Sequence, residues 1–152
     1  MEGSCTCGAL RYRLLDAPMI VHCCHCTWCQ RETGSAFAVN AMIETDQLDV
    51  TGPVDYILTP SASGKGQEVA RCPSCQVAVF SHYGGAGRKI AFVRVGTLAE
   101  PAACPPDAHI FTSTKQPWVV LGEGTPAYEG YYRSADLWAD AALARRKAVL
   151  GK

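Results

Sequence analysis

The stretch Gly3-Ser4-Cys5-Thr6-Cys7-Gly8, answered far downstream by Cys72-Pro73-Ser74-Cys75, decides how this chain is read. CxC and CxxC each bring two sulfurs close enough to share one tetrahedral zinc, with Zn–S of about 2.3 Å. Closing the long intervening segment costs ~4 kcal/mol by chain entropy. A structural zinc returns roughly 10–16 kcal/mol in apparent binding energy. The metal term wins, and a closed site of Cys5, Cys7, Cys72 and Cys75 tying the start of the chain to its middle is expected. A thioredoxin-like redox role for Cys72 and Cys75 competes with this reading. It is weakened because a strand-like run, Val77 to Phe80, follows the motif where a helix would be needed.

A second cluster lies between these pairs: Cys23-Cys24-His25-Cys26-Thr27-Trp28-Cys29. Cys24, Cys26 and Cys29 form a CxCxxC that can wrap one metal ion. Cys23 adjoins Cys24, and neighbouring side chains of an extended segment face opposite ways, so Cys23 reads as a small buried hydrophobe. His22 and His25 stand as alternative fourth ligands. Without them the site has three protein ligands and an open position, the mark of catalytic zinc. Three thiolates on Zn²⁺ leave a net charge of −1, which suits thiol activation better than water activation. Cys104, in a Pro-rich loop, reads as a free thiol.

Around the cysteines the pattern is mostly strands. Leu10, Tyr12 and Leu14 alternate with Arg11 and Arg13, and Phe37, Val39, Ala41 and Ile43 alternate likewise. Further runs are Ile20–Cys23, Leu48 with Val50, Tyr56–Leu58, Val77–Phe80, His109–Phe111 and Trp118–Leu121. Ile90–Val95 is nearly all apolar and is expected to be central. A short helical turn is predicted at Gln30–Thr33, ended by Gly34. A C-terminal helix is predicted from a Ser134 cap, with Leu137, Ala141, Ala144 and Ala148 on one stripe.

The 152 residues read as one domain, 1–152, without a linker, because Cys72 and Cys75 have their partners before the Ser/Gly stretch at 61–66. Hydrophobic residues make up 48% and charged residues 18%, and the formal net charge is zero. Those values argue for a globular fold and against nucleic acid or an anionic membrane as partner. The N-terminus shows no basic n-region or apolar h-region, which points to a cytoplasmic protein with reduced thiols.

With Gly3-x-Cys5-x-Cys7-Gly8, Cys24-His25-Cys26-x-x-Cys29, Gly34-Ser35-Ala36-Phe37 and Cys72-x-x-Cys75 in order, the chain resembles the glutathione-dependent formaldehyde-activating enzyme (GFA) family, whose relatives include centromere protein V. Gly96-Thr97-Leu98, Pro106-x-x-His109-Ile110 and Trp118 extend the likeness. The resemblance implies a mainly β fold, the β-tent zinc fold shared with a Rab-accessory protein, with a short C-terminal helix. It implies two zinc ions: a structural one on Cys5, Cys7, Cys72 and Cys75, and a catalytic one on Cys24, Cys26 and Cys29. The implied activity joins glutathione to formaldehyde, as in S-(hydroxymethyl)glutathione synthase, a carbon–sulfur lyase run in the synthetic direction. The family pattern places Gly after the CxxC where this chain has Gln76, so a slightly different turn is expected there.

Glutathione carries two carboxylates, so cationic partners are needed, and Arg31 and Lys115 are the candidates. His109 is the candidate for proton transfer. Trp28 and Trp118 are expected to pack. The competing function class is a non-catalytic zinc module that binds a protein partner.

Overall fold

The period-two runs form ten short strands in a computed structural model that describes residues 1–151. In chain order they are β1 (Glu2–Ser4), β2 (Arg11–Leu14), β3 (Ile20–Cys24), β4 (Ala38–Glu44) and β5 (Leu48–Thr51). Then come β6 (Asp55–Thr59), β7 (Gln67–Arg71), β8 (Ala78–Tyr83), β9 (Ile90–Arg94) and β10 (Ala108–Ile110). The α-helices are α1 (Thr27–Thr33) and α2 (Asp140–Leu150). The mainly β class with a C-terminal helix is therefore as expected, with α1 starting three residues before its sequence signal.

Two sheets divide the strands. One has the order β1-β2-β5, the other β10-β3-β4-β9-β8-β7-β6, with only the β10–β3 pair parallel. β9 sits at the middle of the larger sheet, as its apolar run predicts. The alternation along β4 shows how that sheet is covered on both faces. Ala41 and Ile43 join Leu10, Tyr12, Leu14, Val93 and Phe80 beneath the small sheet. Ala38 and Met42 face the other way, against Tyr132, Trp138 and Ala142 of the C-terminal segment. Gly3 is required where the sheets meet, because a Cβ there would lie 2.3 Å from the Tyr12 hydroxyl that bonds Thr97 Oγ1 at 2.6 Å.

Three local expectations need correction. The run Trp118–Leu121 makes no strand: it follows Pro117 and lies in a loop, with Trp118 71% and Val120 91% exposed. Ser134 opens only a 3-10 turn, Ser134–Asp136, which the Arg133 fork onto Asp136 braces at 2.8 and 3.1 Å. The helix proper starts at Asp140, and it buries Ala142 behind Trp138 while Ala141, Ala144 and Ala148 face solvent. β1 and β7 carry no period-two signal long enough to be read; they form because neighbouring strands supply their hydrogen bonds.

Arg145 anchors α2 to the large sheet, donating to both Glu44 oxygens at 2.8 and 2.6 Å and to Ala17 O at 2.9 Å. Burial alone would raise the Glu44 pKa, but the Arg145 hydrogen bonds overcome it and hold the carboxyl below its usual value. A carboxyl lowered in the folded state stabilises above its unfolded pKa, and that contribution is lost as pH falls through the folded value. Arg145→Met is expected to cost about 1–3 kcal/mol in urea unfolding at pH 7. As pH falls through the folded Glu44 value, the difference from the parent protein should shrink; a cost that stays constant throughout acid titration of the carboxyl would show that the pair does not carry it.

Candidate metal centres and the adjoining cavity

Turn geometry builds the first cluster. The Cys5-to-Leu10 turn closes with Cys5 N–H to Leu10 O at 2.9 Å, and Leu10 N–H donates to Cys5 Sγ at 3.3 Å. The Cys72 turn closes with Gln76 N–H to Cys72 O at 2.8 Å. Gln76 takes φ 61°, the left-handed conformation a glycine would adopt, so the expectation of an altered turn is not met. Gln76 Nε2 donates to Pro73 O at 2.9 Å, a local bond that offsets the strain.

These turns bring Cys5, Cys7, Cys72 and Cys75 together, with all four sulfurs within 4.8 Å of one another. Cys7 Sγ lies 3.5 Å from Cys5 Sγ and 3.6 Å from Cys72 Sγ. A zinc tetrahedron has an S–S edge of about 3.8 Å, whereas a disulfide needs about 2.05 Å. All nine cysteines are free. The spacing fits a metal and not a cross-link, and the convergence of four sulfurs favours a metal over a two-cysteine redox pair.

β3 and α1 build the second cluster. The CxxC spacing makes Cys26 the N-cap of α1, its sulfur accepting the Cys29 N–H at 3.4 Å. Gly34, at φ 64°, ends the helix, and its N–H returns to Gln30 O. The loop is pinned at His25: its N–H donates to Ile110 O at 3.0 Å, and its carbonyl accepts from Gln30 Nε2 at 2.7 Å and Thr114 Oγ1 at 3.0 Å. Cys24, Cys26 and Cys29 converge to within 4.8 Å. Hydrogen bonds from the Cys24 and Cys29 thiols lower the Cys26 pKa, while the same sharing raises that of Cys24. One thiolate thus forms at its neighbours' expense, a conflict that a divalent cation relieves.

Neither His22 nor His25 belongs to this group. His22 bonds Tyr132 Oη at 2.6 Å through Nε2, and burial pushes its pKa down to about 4. His25 turns instead to Cys23 and His109, its Nε2 lying 3.5 Å from Cys23 Sγ and 3.0 Å from His109 Nδ1. Cys23 is buried as expected, yet with these two histidines it forms a third compact group that the sequence did not disclose. His109 pairs in register with Cys23, so it lies on the sheet face opposite Cys24 and Ile110. Cys104 is buried and outside all three groups.

A cavity of about 270 Å³ opens onto the three-cysteine cluster, and Cys24, Cys26 and Cys29 all line it. Its other walls include Trp28, Phe92, Phe111 and Tyr131, with Asn40 and Tyr83 among the polar groups. Trp28 is therefore a wall residue, and Trp118 an exposed loop residue; the expected packing holds for neither. Arg31 is exposed on α1 and lines a neighbouring depression that shares Trp28 and Gln67 with the cavity. Lys115 is not at the cavity: its Nζ donates to Gln116 O at 3.1 Å and Val119 O at 2.6 Å.

Arg94 was missed at the sequence level, although it is the one charge in Ile90–Val95. It is 7% exposed, with Nη1 bonded to Asn40 Oδ1 and Nη2 buried without a partner among the described residues. Cys29 is pushed up to about 11: its bond with Cys24 favours the thiolate, but the bond with Cys26 and burial outweigh it. Arg94 acts the other way, favouring the thiolate. A buried cation of this kind complements a metal centre of net negative charge.

Fold and clusters together define a thiol-rich β protein with cysteine groups spaced as metal ligands are. The glutathione-dependent formaldehyde-activating enzyme family matches residues 1–114, and the chain belongs to that family. It is 26% identical over 132 residues, 80% of each chain, to a Halomonas elongata protein whose name provisionally assigns it to glutathione-dependent formaldehyde activation. The fold is shared with a Rhodobacter sphaeroides crystal structure at a TM-score of 0.51 and 17% identity, covering 84% of this chain and 99% of that one. The family read from the cysteine motifs is thus the family found.

Arg94→Met is expected to weaken Co²⁺ binding at Cys24, Cys26 and Cys29 by roughly 3–10-fold, the worth of about 1 kcal/mol of charge attraction at a distance. Chelator competition followed by the cobalt–thiolate absorption measures this. Undiminished affinity would reduce Arg94 to a packing residue.

Proposed function

We propose that this chain is a zinc-dependent carbon–sulfur lyase that joins a thiol to formaldehyde or a similar small aldehyde, as in S-(hydroxymethyl)glutathione formation. The observation that carries the reading is the three-cysteine cluster lining a largely apolar cavity with an open mouth. A zinc module with a purely structural role has no use for such a cavity. In this account residues 1–152 act as one domain holding two zinc ions, a structural one on Cys5, Cys7, Cys72 and Cys75 and a catalytic one on Cys24, Cys26 and Cys29. Zinc bound at the second cluster would hold a substrate thiol as the thiolate, because a coordinating thiol is deprotonated outright.

The chain's own residues do the rest. Trp28, Phe92 and Phe111 exclude water from the aldehyde. Asn40 gives its carbonyl oxygen to Arg94, which leaves its amide N–H groups to meet the oxygen that gains charge as sulfur attacks carbon. Burial raises the Tyr83 pKa, so its hydroxyl stays protonated and can donate to the same oxygen. His109 acts through His25, holding the loop that carries Cys24 and Cys26. Arg31 is the candidate partner for a substrate carboxylate outside the cavity; Lys115 would first have to release two carbonyls.

We place the protein in the cytoplasm, working on a small-molecule thiol such as glutathione and not on nucleic acid or membrane. Its nine free cysteines and zero formal net charge support this. Among the described residues no helix is long and apolar enough to cross a membrane.

Exchange NMR on glutathione and formaldehyde tests the reaction. The zinc-loaded protein should accelerate adduct exchange. Cys26→Ser should abolish that acceleration and remove one of two metals while the fold persists. Two bound zincs without any acceleration would overturn the assignment.

A further inference from the structure

We infer that the thiol this site prefers is uncharged and carries an aromatic or branched apolar group, rather than being a peptide thiol with free carboxylates. The inference rests on the thiol–aldehyde reading above and specifies its substrate class.

The cavity wall is the first ground. Among the described residues none of its lining side chains is Asp, Glu, Lys or Arg. Its one imidazole, His22, is already engaged, with Nε2 bonded to Tyr132 Oη at 2.6 Å. The cluster at the cavity would itself be net negative with three thiolates on a divalent ion. A substrate carboxylate drawn inside would therefore be desolvated beside a like charge, with no cation to meet it.

The nearby cations are the second ground. Arg94 is buried and bonded to Asn40. Lys115 serves two backbone carbonyls. Arg31 lies in the next depression, beside Glu32, whose carboxylate is already paired with Arg71. None of the three lines the cavity.

Size and partition of the reactants give the third. The thiol sulfur must reach Cys24, Cys26 and Cys29, so its substituent has to occupy the adjoining space. Formaldehyde has no substituent and needs only a gap. A cavity of about 270 Å³ exceeds the roughly 150 Å³ that accommodates a benzene ring in an apolar protein cavity. Trp28, Phe92, Phe111 and Tyr131 offer ring faces and edges to such a group. The reaction balances without a further reactant: R–SH and CH₂O give R–S–CH₂OH, with the S–C bond formed, the C=O π bond broken and the thiol proton delivered to oxygen.

The test uses the zinc-loaded full chain with phenylmethanethiol and with glutathione as separate thiols, each with formaldehyde. Benzyl alcohol serves as an unreactive probe of the cavity, read by Trp28 fluorescence and ligand-observed NMR. Phenylmethanethiol is expected to exceed glutathione in kcat/KM by about tenfold or more, the worth of one buried ring. Benzyl alcohol should bind and compete with it. Ala62→Arg, at an exposed position on the cavity mouth, should raise the ratio of glutathione to phenylmethanethiol turnover. Faster turnover of glutathione, with benzyl alcohol unbound, would overturn the inference and leave the thiol–aldehyde reading standing. Benzyl alcohol binding in the cavity, with neither thiol accelerated, would sink that reading while supporting the apolar occupant.

Discussion

Sulfur crowding is the constraint on which this structure depends. Seven of the nine cysteines are drawn into two clusters whose sulfurs lie too close for independent thiols and too far apart for disulfides. Ionising one thiol in such a cluster raises its neighbours, as between Cys26 and Cys24. A divalent cation would remove the conflict, and its binding energy would then be part of the folding energy. The first cluster joins the turn after β1 to the turn after β7. The small sheet is thereby tied to the large one at the edge of their shared core.

The second cluster uses the same chemistry at a different place. Cys26 both caps α1 and stands in the cluster, so the start of α1 sets where two of the three sulfurs lie. β3 presents Cys24 to the face shared with the C-terminal segment, and Cys23 to the opposite one. That single alternation separates the cavity from the Cys23–His25–His109 group. Arg94 and Asn40, paired across β4 and β9, reach the cavity side from the middle of the sheet. The site is thus held on strands and a capped helix, which is the rigidity a positioned reaction needs.

The family, the mainly β fold and the grouping of the cysteines into two clusters were legible in the sequence because spacing within a turn is local chemistry. Gly34 and the central Ile90–Val95 run were legible for the same reason. What could not be read depends on contacts between distant segments. β7 has no alternation of its own and is a strand because β6 and β8 flank it. Trp118–Leu121 has strand composition but no neighbour to pair with. His109 looked like an acid–base group until its register with Cys23 put it on the other face. Arg94 was visible as a lone charge in an apolar run, although its partner Asn40 was not. Gln76 shows the reverse: a residue that argues against a left-handed turn adopts one because the Cys72 turn requires it.

The account turns on whether the second cluster accepts an external thiol. Zinc K-edge X-ray absorption measures that directly, because sulfur at about 2.3 Å and lighter atoms at about 2.0–2.2 Å form separable shells. The zinc-loaded protein should show one four-sulfur site and one site of three sulfurs with a lighter atom. Added thiol should replace the lighter atom and raise the mean sulfur count. A spectrum unchanged by saturating thiol, or one with four protein sulfurs at every zinc, would contradict the account.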